Sequence, residues 1–409
     1  MLPEFPSCRR EALIRWHDFR PALADYSRRR NFVEVGHGNV SRLSPAIRCR
    51  LITEEELLAS IRGQVPFPKV EKFVQELLWR CYWKAWLENN PHVWSAYRAW
   101  IESAENRLSG ETRRRIENVQ QGRSGVAVMD RFARELIETG YLHNHARMWW
   151  ASFWIHVERL PWQVGADFFR RHLLDFDPAS NTLSWRWVAG LQTRGKIYRV
   201  RRDNIQHYLS PNLFDPIGLD QLDTTDSARF PIHDSDEVPA VSVRVTRDQP
   251  LLGDHRWGLW LHEEDLAPET GGFPSHPPAK IFANMAGGPD GDSPFSSVRR
   301  EYLRQALTDG LQRTLAFWKL SPDRVELVTG CSRAESMGRW SQREKLDAIW
   351  AMRPFIGTLN DELPAIATSV RTAGAKLILL DRTWDESFRP HALRGYFSFW
   401  EKARKEIAW

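Results

Sequence analysis

The spacing of apolar residues after Pro66 and Pro68 constrains the fold of this 409-residue chain more than any other feature of it. Val70, Phe73, Val74, Leu77, Leu78, Cys81 and Tyr82 recur at intervals of three and four, the pattern of a helix with one buried face. Glu76 and Arg80 stand four apart and so share a face of that helix. A second helix is predicted over 126–138, with Val128, Phe132 and Leu136 on one side and Gly140 as its C-terminal stop. A third is predicted over 143–159, ending before Pro161, with Asn144, Arg147 and Met148 on a common face. Strand-like alternation is scarce, so residues 1–210 read as an all-α domain.

The pattern then changes. Residues 208–250 are rich in Asp, Pro and Ser, and 211–250 are predicted to be a linker or long surface loop. Short apolar runs follow: VSVRV (241–245), WGLWL (257–261), VELVT (325–329) and KLILL (376–380). They alternate with helical stretches at 298–318, 344–371 and 395–406, which predicts a smaller α/β domain over 251–409 with a mostly parallel sheet. The fold class expected is therefore mainly α, a helical domain followed by an α/β one. AGGPDGDSPF (286–295) matches no phosphate-loop or dinucleotide pattern and reads as a plain loop. The last segment, RPHALRGYFSFWEKARKEIAW, forms an aromatic, basic helix that either docks on the first half or is amphipathic core.

Charge separates the halves as well. The whole chain carries a formal +5, but residues 1–210 hold 33 Lys and Arg against 23 Asp and Glu, and Arg supplies 47 of the 57 cations. A basic, aromatic-rich half suits a phosphate-bearing polymer, since the planar guanidinium fork matches phosphate; solvated helix faces are the alternative. Mean hydropathy is −0.50 and no run of about 18 apolar residues occurs, which predicts no membrane span. The opening MLPEFPSCRREAL has no signal-peptide order, so the expectation is a soluble, cytoplasmic protein. Cys8, Cys49, Cys81 and Cys331 show no metal or disulfide spacing, and His143 and His145 stand two apart on a predicted helix, so no metal is expected.

Residues 139–187 are more specific. They contain Gly140, His143, Asn144, Arg147, Met148, Ala151, Ser152 and Phe153 in order, then LPWQVG, then LLDFDPASN and Trp185-Arg186-Trp187. This closely resembles the FAD-binding domain of the photolyase/cryptochrome family. Two upstream blocks arrive in the family's order, Tyr26 followed by Ser41-Arg42-Leu43-Ser44, and ELLWRCY from Glu76 to Tyr82. The resemblance covers residues 20–210 and implies an all-α FAD-binding domain; the half behind it is expected to be a Rossmann-like α/β layer from its alternating strands and helices. Ser41, Arg42, Leu43 and Ser44 would then form the phosphate loop, Tyr26, Arg80, Asn144, Arg147, Asp175 and Asp177 would contact the cofactor, and Asn181 would face the flavin N5.

The resemblance further implies UV-damaged DNA as partner. Trp79 and Trp187 would wall a flipped pyrimidine dimer, with Glu76, Asn144 and Met148 as the substrate-side residues of enzymes acting on cyclobutane dimers. Glu76 would donate a hydrogen bond as an acid, which calls for an apolar setting. Trp185 and Trp162 would carry electrons to the flavin, with Trp94 or Trp100 as candidates for the outermost step. A light sensor without repair activity is the alternative role. Departures from the family pattern are His145 where Arg is usual, Val40 where Thr is common, and the loss of an Asn-Pro element after Trp187. The family's antenna domain normally lies in front; here an α/β half lies behind, as if the two were permuted, and no antenna pigment is assigned.

Overall fold

The structure is a computed structural model that describes residues 5–193, 196–223, 255–284, 295–328, 332–407 and 409. Helix α1 (Arg9–Phe19) opens the helical half. The long helix α2 (Phe67–Asn89) buries the apolar stripe seen in the sequence. Next come α3 (Pro91–Glu102) and α4 (Ala127–Thr139); α4 stops at Gly140, whose φ of 71° supplies the left-handed residue that ends it. Helix α5 (Asn144–Ser152) widens into one π turn over Phe153–Val157. Two further helices, α6 (Trp162–His172) and α7 (Pro178–Val188), complete the set that builds the site. Asp177 caps α7 by accepting from Ser180 N at 2.7 Å.

The C-terminal half holds five parallel strands, β1 (Trp257–Leu261), β2 (Lys280–Asn284), β3 (Val325–Val328), β4 (Ala348–Met352) and β5 (Lys376–Leu380), in the order β3-β2-β1-β4-β5. Helices α8 (Ser297–Trp318), α9 (Arg333–Arg343) and α10 (Thr358–Thr372) connect β2 to β3, β3 to β4 and β4 to β5. Side chains alternate between the two faces as a pleat requires. Trp257, Leu259 and Leu261 join the core that contains α8, whereas Trp260 packs with α9 and α10. Gly258 leaves room for Trp340, because a Cβ there would lie 2.4 Å from its ring.

Two expectations are corrected. The stretch 344–371 is not one helix, since it contains β4 between α9 and α10. Its sequence AIWAM is buried along its whole length, and a short continuous apolar run carries no period that separates a covered parallel strand from a buried helix. Strand β2 was not anticipated for the same reason. The predicted strand 241–245 lies outside the described residues, as does most of the 286–295 loop. Of the predicted linker, the described part reaches residue 223, and it rests on the helical half: Leu219 and Leu222 are buried, and Ile217 O accepts from Ala127 N at 3.1 Å. No described helix is long and apolar enough to cross a membrane.

The halves share one core. Residues of α1 and α2 pack with one sheet face and with α11 (Tyr396–Glu406), the last helix. Around that core runs a buried ionic seam at the carboxyl ends of the strands. Arg48 meets Glu264 at 2.8 Å, Arg50 meets Asp265 at 2.9 Å and Asp385 at 2.6 Å, and Arg382 holds both oxygens of Asp265 at 2.7 Å. Arg353 and Arg389 bridge Glu88 of α2 to Asp381, at 2.7 to 2.9 Å.

Burial alone would raise the Asp265 carboxyl, but Arg382 and Arg50 outweigh it and hold the group well below the usual carboxylate range. A depressed carboxylate contributes stability that is complete above its unfolded value, near pH 4, and is lost as pH falls through the folded value. Urea unfolding should therefore show wild-type stability declining below about pH 4. Asp265→Asn should lose about 3 kcal/mol at neutral pH, because it leaves two guanidiniums short of a buried partner, and should show a shallower acid decline.

Candidate functional site

A cavity of about 530 Å³ opens in the helical half, within the size range of small-molecule sites. Helix geometry explains its composition. On α2, Lys72, Glu76, Trp79, Arg80 and Trp83 occupy the face opposite the buried stripe, and all five line the cavity. Asn144, Arg147, Met148 and Ala151 come from one face of α5. The 173–177 turn and α7 supply Asp175, Asp177, Ser180, Asn181, Trp185 and Trp187.

One end is polar and charged. Ser41, Arg42 and Ser44 form a loop there beside Tyr26, and Arg42 takes a left-handed φ of 54°. Such a conformation in a non-glycine residue costs energy and is concentrated at functional loops. Arg80 reaches the same wall, with Glu54 at 3.6 Å as its nearest carboxylate. Arg147 donates to Asp175 Oδ2 at 2.9 Å and to Leu142 O at 2.7 Å. Burial would raise the Asp175 carboxyl, but Arg147 and a Ser44 hydrogen bond lower it. Asp177 is likewise lowered against its burial, by Lys84, Arg48 and Arg80. Both therefore stand as carboxylates at neutral pH.

At the aromatic end Trp185 packs edge-on to Phe169 at 5.1 Å, and Trp187 stacks on Tyr198 at 5.5 Å. Gly165 permits the Trp185 position, since a Cβ there would meet the indole at 2.3 Å. Asn181 donates its amide N–H to Ala166 O at 3.0 Å, leaving the amide oxygen as its ligand-facing group. Asn144 and Met148 stand together near the mouth, with 3.9 Å between Nδ2 and Sδ.

The cavity thus gathers most of the residues singled out in the sequence. Outside its lining fall Leu43, fully buried behind the loop, Trp162, buried and stacked on Tyr97 at 5.7 Å, and the outermost-step candidates Trp94 and Trp100, of which Trp94 is buried and donates to Asp361 Oδ2 at 2.9 Å. Glu76 differs from expectation in its surroundings. It lies 3.0 Å from both Arg30 and Lys72, so the apolar setting expected for a hydrogen-bond-donating acid is absent. Sequence reasoning missed those two cations, although Lys72 stands one helical turn before Glu76 and Arg30 closes the Arg28–Arg30 run. It also missed His143 as a cavity residue. Burial and the neighbouring histidines push that imidazole down to about 3, so it is neutral. His145, in place of the usual Arg, turns away and meets Asn31 O at 2.8 Å. Among the described residues no His, Cys, Asp and Glu cluster could hold a metal ion.

Several buried polar atoms of the lining residues have no hydrogen-bond partner in the protein: Arg42 Nε, Arg80 Nη2 and Ser180 Oγ. Buried groups of this kind call for a partner. Guanidinium donors and serines at one end match a diphosphate, while a tryptophan-walled chamber with an amide oxygen matches a fused heteroaromatic ring. The residues present fit a flavin dinucleotide.

Comparison with known proteins agrees. The family described as the FAD binding domain of DNA photolyase matches residues 73–213. A deoxyribodipyrimidine photo-lyase of Streptomyces griseus is 32% identical over 194 residues, 45% of this chain and 39% of that protein. One from Escherichia coli is 25% identical over 199 residues, 47% of this chain and 42% of that protein. Among solved structures, a class III photolyase from Agrobacterium tumefaciens aligns with a TM-score of 0.43 and 25% identity, covering 49% of this chain and 42% of that one. The chain matches well under half the length of these relatives.

Arg80→Ala should weaken flavin dinucleotide binding about 10- to 100-fold, the value of losing a charge-assisted hydrogen bond. Titration of the apoprotein followed by flavin absorbance checks this.

Proposed function

We propose that this protein binds FAD and cleaves cyclobutane pyrimidine dimers in UV-damaged DNA under blue light, a reading supported by the match of residues 73–213 to the family described as the FAD binding domain of DNA photolyase. The observation that carries the reading is the mouth of the cavity. Trp79 and Trp187 offer aromatic surfaces there, beside Asn144, Met148 and Glu76. Extruded bases stack on such surfaces.

FAD, held in the cavity and reduced, would supply light-driven electron-transfer chemistry for splitting the dimer with no net redox change. The chain's own residues do the rest. Ser41, Arg42, Ser44 and Arg80 bind the diphosphate, and Arg147 holds Asp175 as a carboxylate along the ring and ribose side. Asn181 presents an acceptor toward N5. Asn144 and Met148 contact the dimer, and Glu76, held by Arg30 and Lys72, orients it by accepting or relaying hydrogen bonds at the mouth. Trp185 on the wall and Trp162 behind it are the residues proposed to re-reduce the cofactor. Exposed cations such as Arg28 and Arg29 contact the phosphate backbone.

The proposal extends to organisation. Residues 1–210 are the cofactor domain, 211–250 the connection and 251–409 a Rossmann-like domain, a reading supported by its strand order and helical crossovers. The location is cytoplasmic. A light-sensing role without repair is the second reading, favoured by one observation: Glu76 is already engaged by two cations.

One assay separates the two. The FAD-loaded, reduced protein is illuminated with an oligonucleotide bearing a cyclobutane dimer, and dimers are counted by chromatography. Loss of dimers is the expected outcome; flavin bound with dimers intact would leave the sensor reading standing. Glu76→Ala should lower the repair yield about tenfold with FAD retained, and an unchanged yield removes Glu76 from its role. Affinity for dimer-containing DNA should fall steeply with added salt.

A further inference from the structure

We infer that Tyr396 of the C-terminal helix is a positioning residue that holds Trp79 in the plane needed to stack a base at the cavity mouth. The α/β half would thereby complete a pocket built otherwise by the helical half. The inference rests on the repair reading above and goes further by assigning part of substrate positioning to a residue beyond the cofactor domain.

The geometry is direct. The Trp79 and Tyr396 rings lie 3.5 Å apart between centroids and 8° from parallel, a full face-to-face contact. Tyr396 is buried, and its hydroxyl donates to Gln75 O at 2.7 Å. In an α-helix that same carbonyl accepts from the N–H of residue 79, so Tyr396 is tied to the turn of α2 that carries the indole. Tyr82 and Trp83 close in on the Trp79 ring at 5.5 and 5.1 Å. Trp79 also lines the cavity, so with one face covered by Tyr396 we take the opposite face as the one offered to a base.

The segment that bears Tyr396 is itself tied down along α2. Tyr82 donates to Arg394 O at 2.9 Å, Arg62 donates to Ile407 O at 2.6 Å, and Trp400 stacks on Phe67 at 10°. Tyr396 therefore has little freedom to move, and neither has the indole against it. A platform whose plane is set before the ligand arrives loses less rotamer freedom on binding, which raises affinity for a flat partner.

The test compares Tyr396→Phe, which keeps the flat ring, with Tyr396→Leu, which keeps apolar bulk without it, so that both retain packing for the helix. FAD absorbance, affinity for dimer-containing and undamaged oligonucleotides, and repair kinetics are measured on full-length protein. Tyr396→Phe should match wild type. Tyr396→Leu should retain FAD and its affinity for undamaged DNA, yet bind the dimer about tenfold more weakly, with a raised KM and little change in kcat. Should Tyr396→Leu bind the dimer as wild type does, or lose damaged and undamaged DNA alike, Tyr396 only packs the helix and the inference falls. Should wild type itself fail to prefer the dimer, the repair reading falls and takes the inference with it.

Discussion

The ionic seam between the strand carboxyl ends and the helical half is the interaction on which the rest of the structure depends. Arg48, Arg50, Glu264 and Asp265 at its centre are buried, and a buried charge is tolerable only when paired and hydrogen-bonded. Asp265 illustrates the demand. Both its oxygens are held by Arg382 while Arg50 of the helical half takes one as well. The halves cannot slide past one another without stranding several charges together, so their mutual placement is specified more sharply than an apolar core alone would specify it. In open parallel sheets the carboxyl edge is where ligands commonly enter. Here Arg48 and Arg50 meet the residues that follow β1 at that edge, and it serves as a docking face.

The seam also reaches the cavity. Arg48, paired to Glu264, donates to Phe176 O at 2.7 Å and lies 3.8 Å from Asp177. The turn that carries Asp175 and Asp177 is thus braced from behind by the α/β half. At the opposite wall, α11 lies along α2, which carries Glu76, Trp79 and Arg80. Two sides of one pocket are thus supported by residues of the C-terminal half.

Much of the helical half was legible because its signals are local. The stripe from Val70 to Tyr82 and the Gly140 stop each depend on neighbours within a turn or two, and the helices expected over 126–138 and 143–159 end within two residues of expectation. The family blocks were legible for a related reason: each is a short contiguous string whose side chains project from one turn or one helix face. Strand β4 was not legible, since a strand covered on both faces has no amphipathic period. Nor were the cations around Glu76, because Arg30 reaches it only once α2 has folded against the segment before it. The 20 tryptophans of the chain divide in the same way. Trp79, Trp185 and Trp187 line the cavity, whereas Trp149, Trp150 and Trp154 are fully buried core.

The sequence by itself determined which segments are helices, which residues face one another across a turn, and that a flavin dinucleotide site belongs to the first half. The helices follow from intervals of three and four along the chain, and the flavin dinucleotide site from the resemblance of short contiguous blocks to a known family. Only the tertiary structure decided that Arg30 joins Lys72 at Glu76, that Trp162 stands behind the wall rather than on it, and that the last helix backs Trp79. Those outcomes depend on contacts between distant segments, chosen by shape and charge compensation in three dimensions, and no local period encodes them.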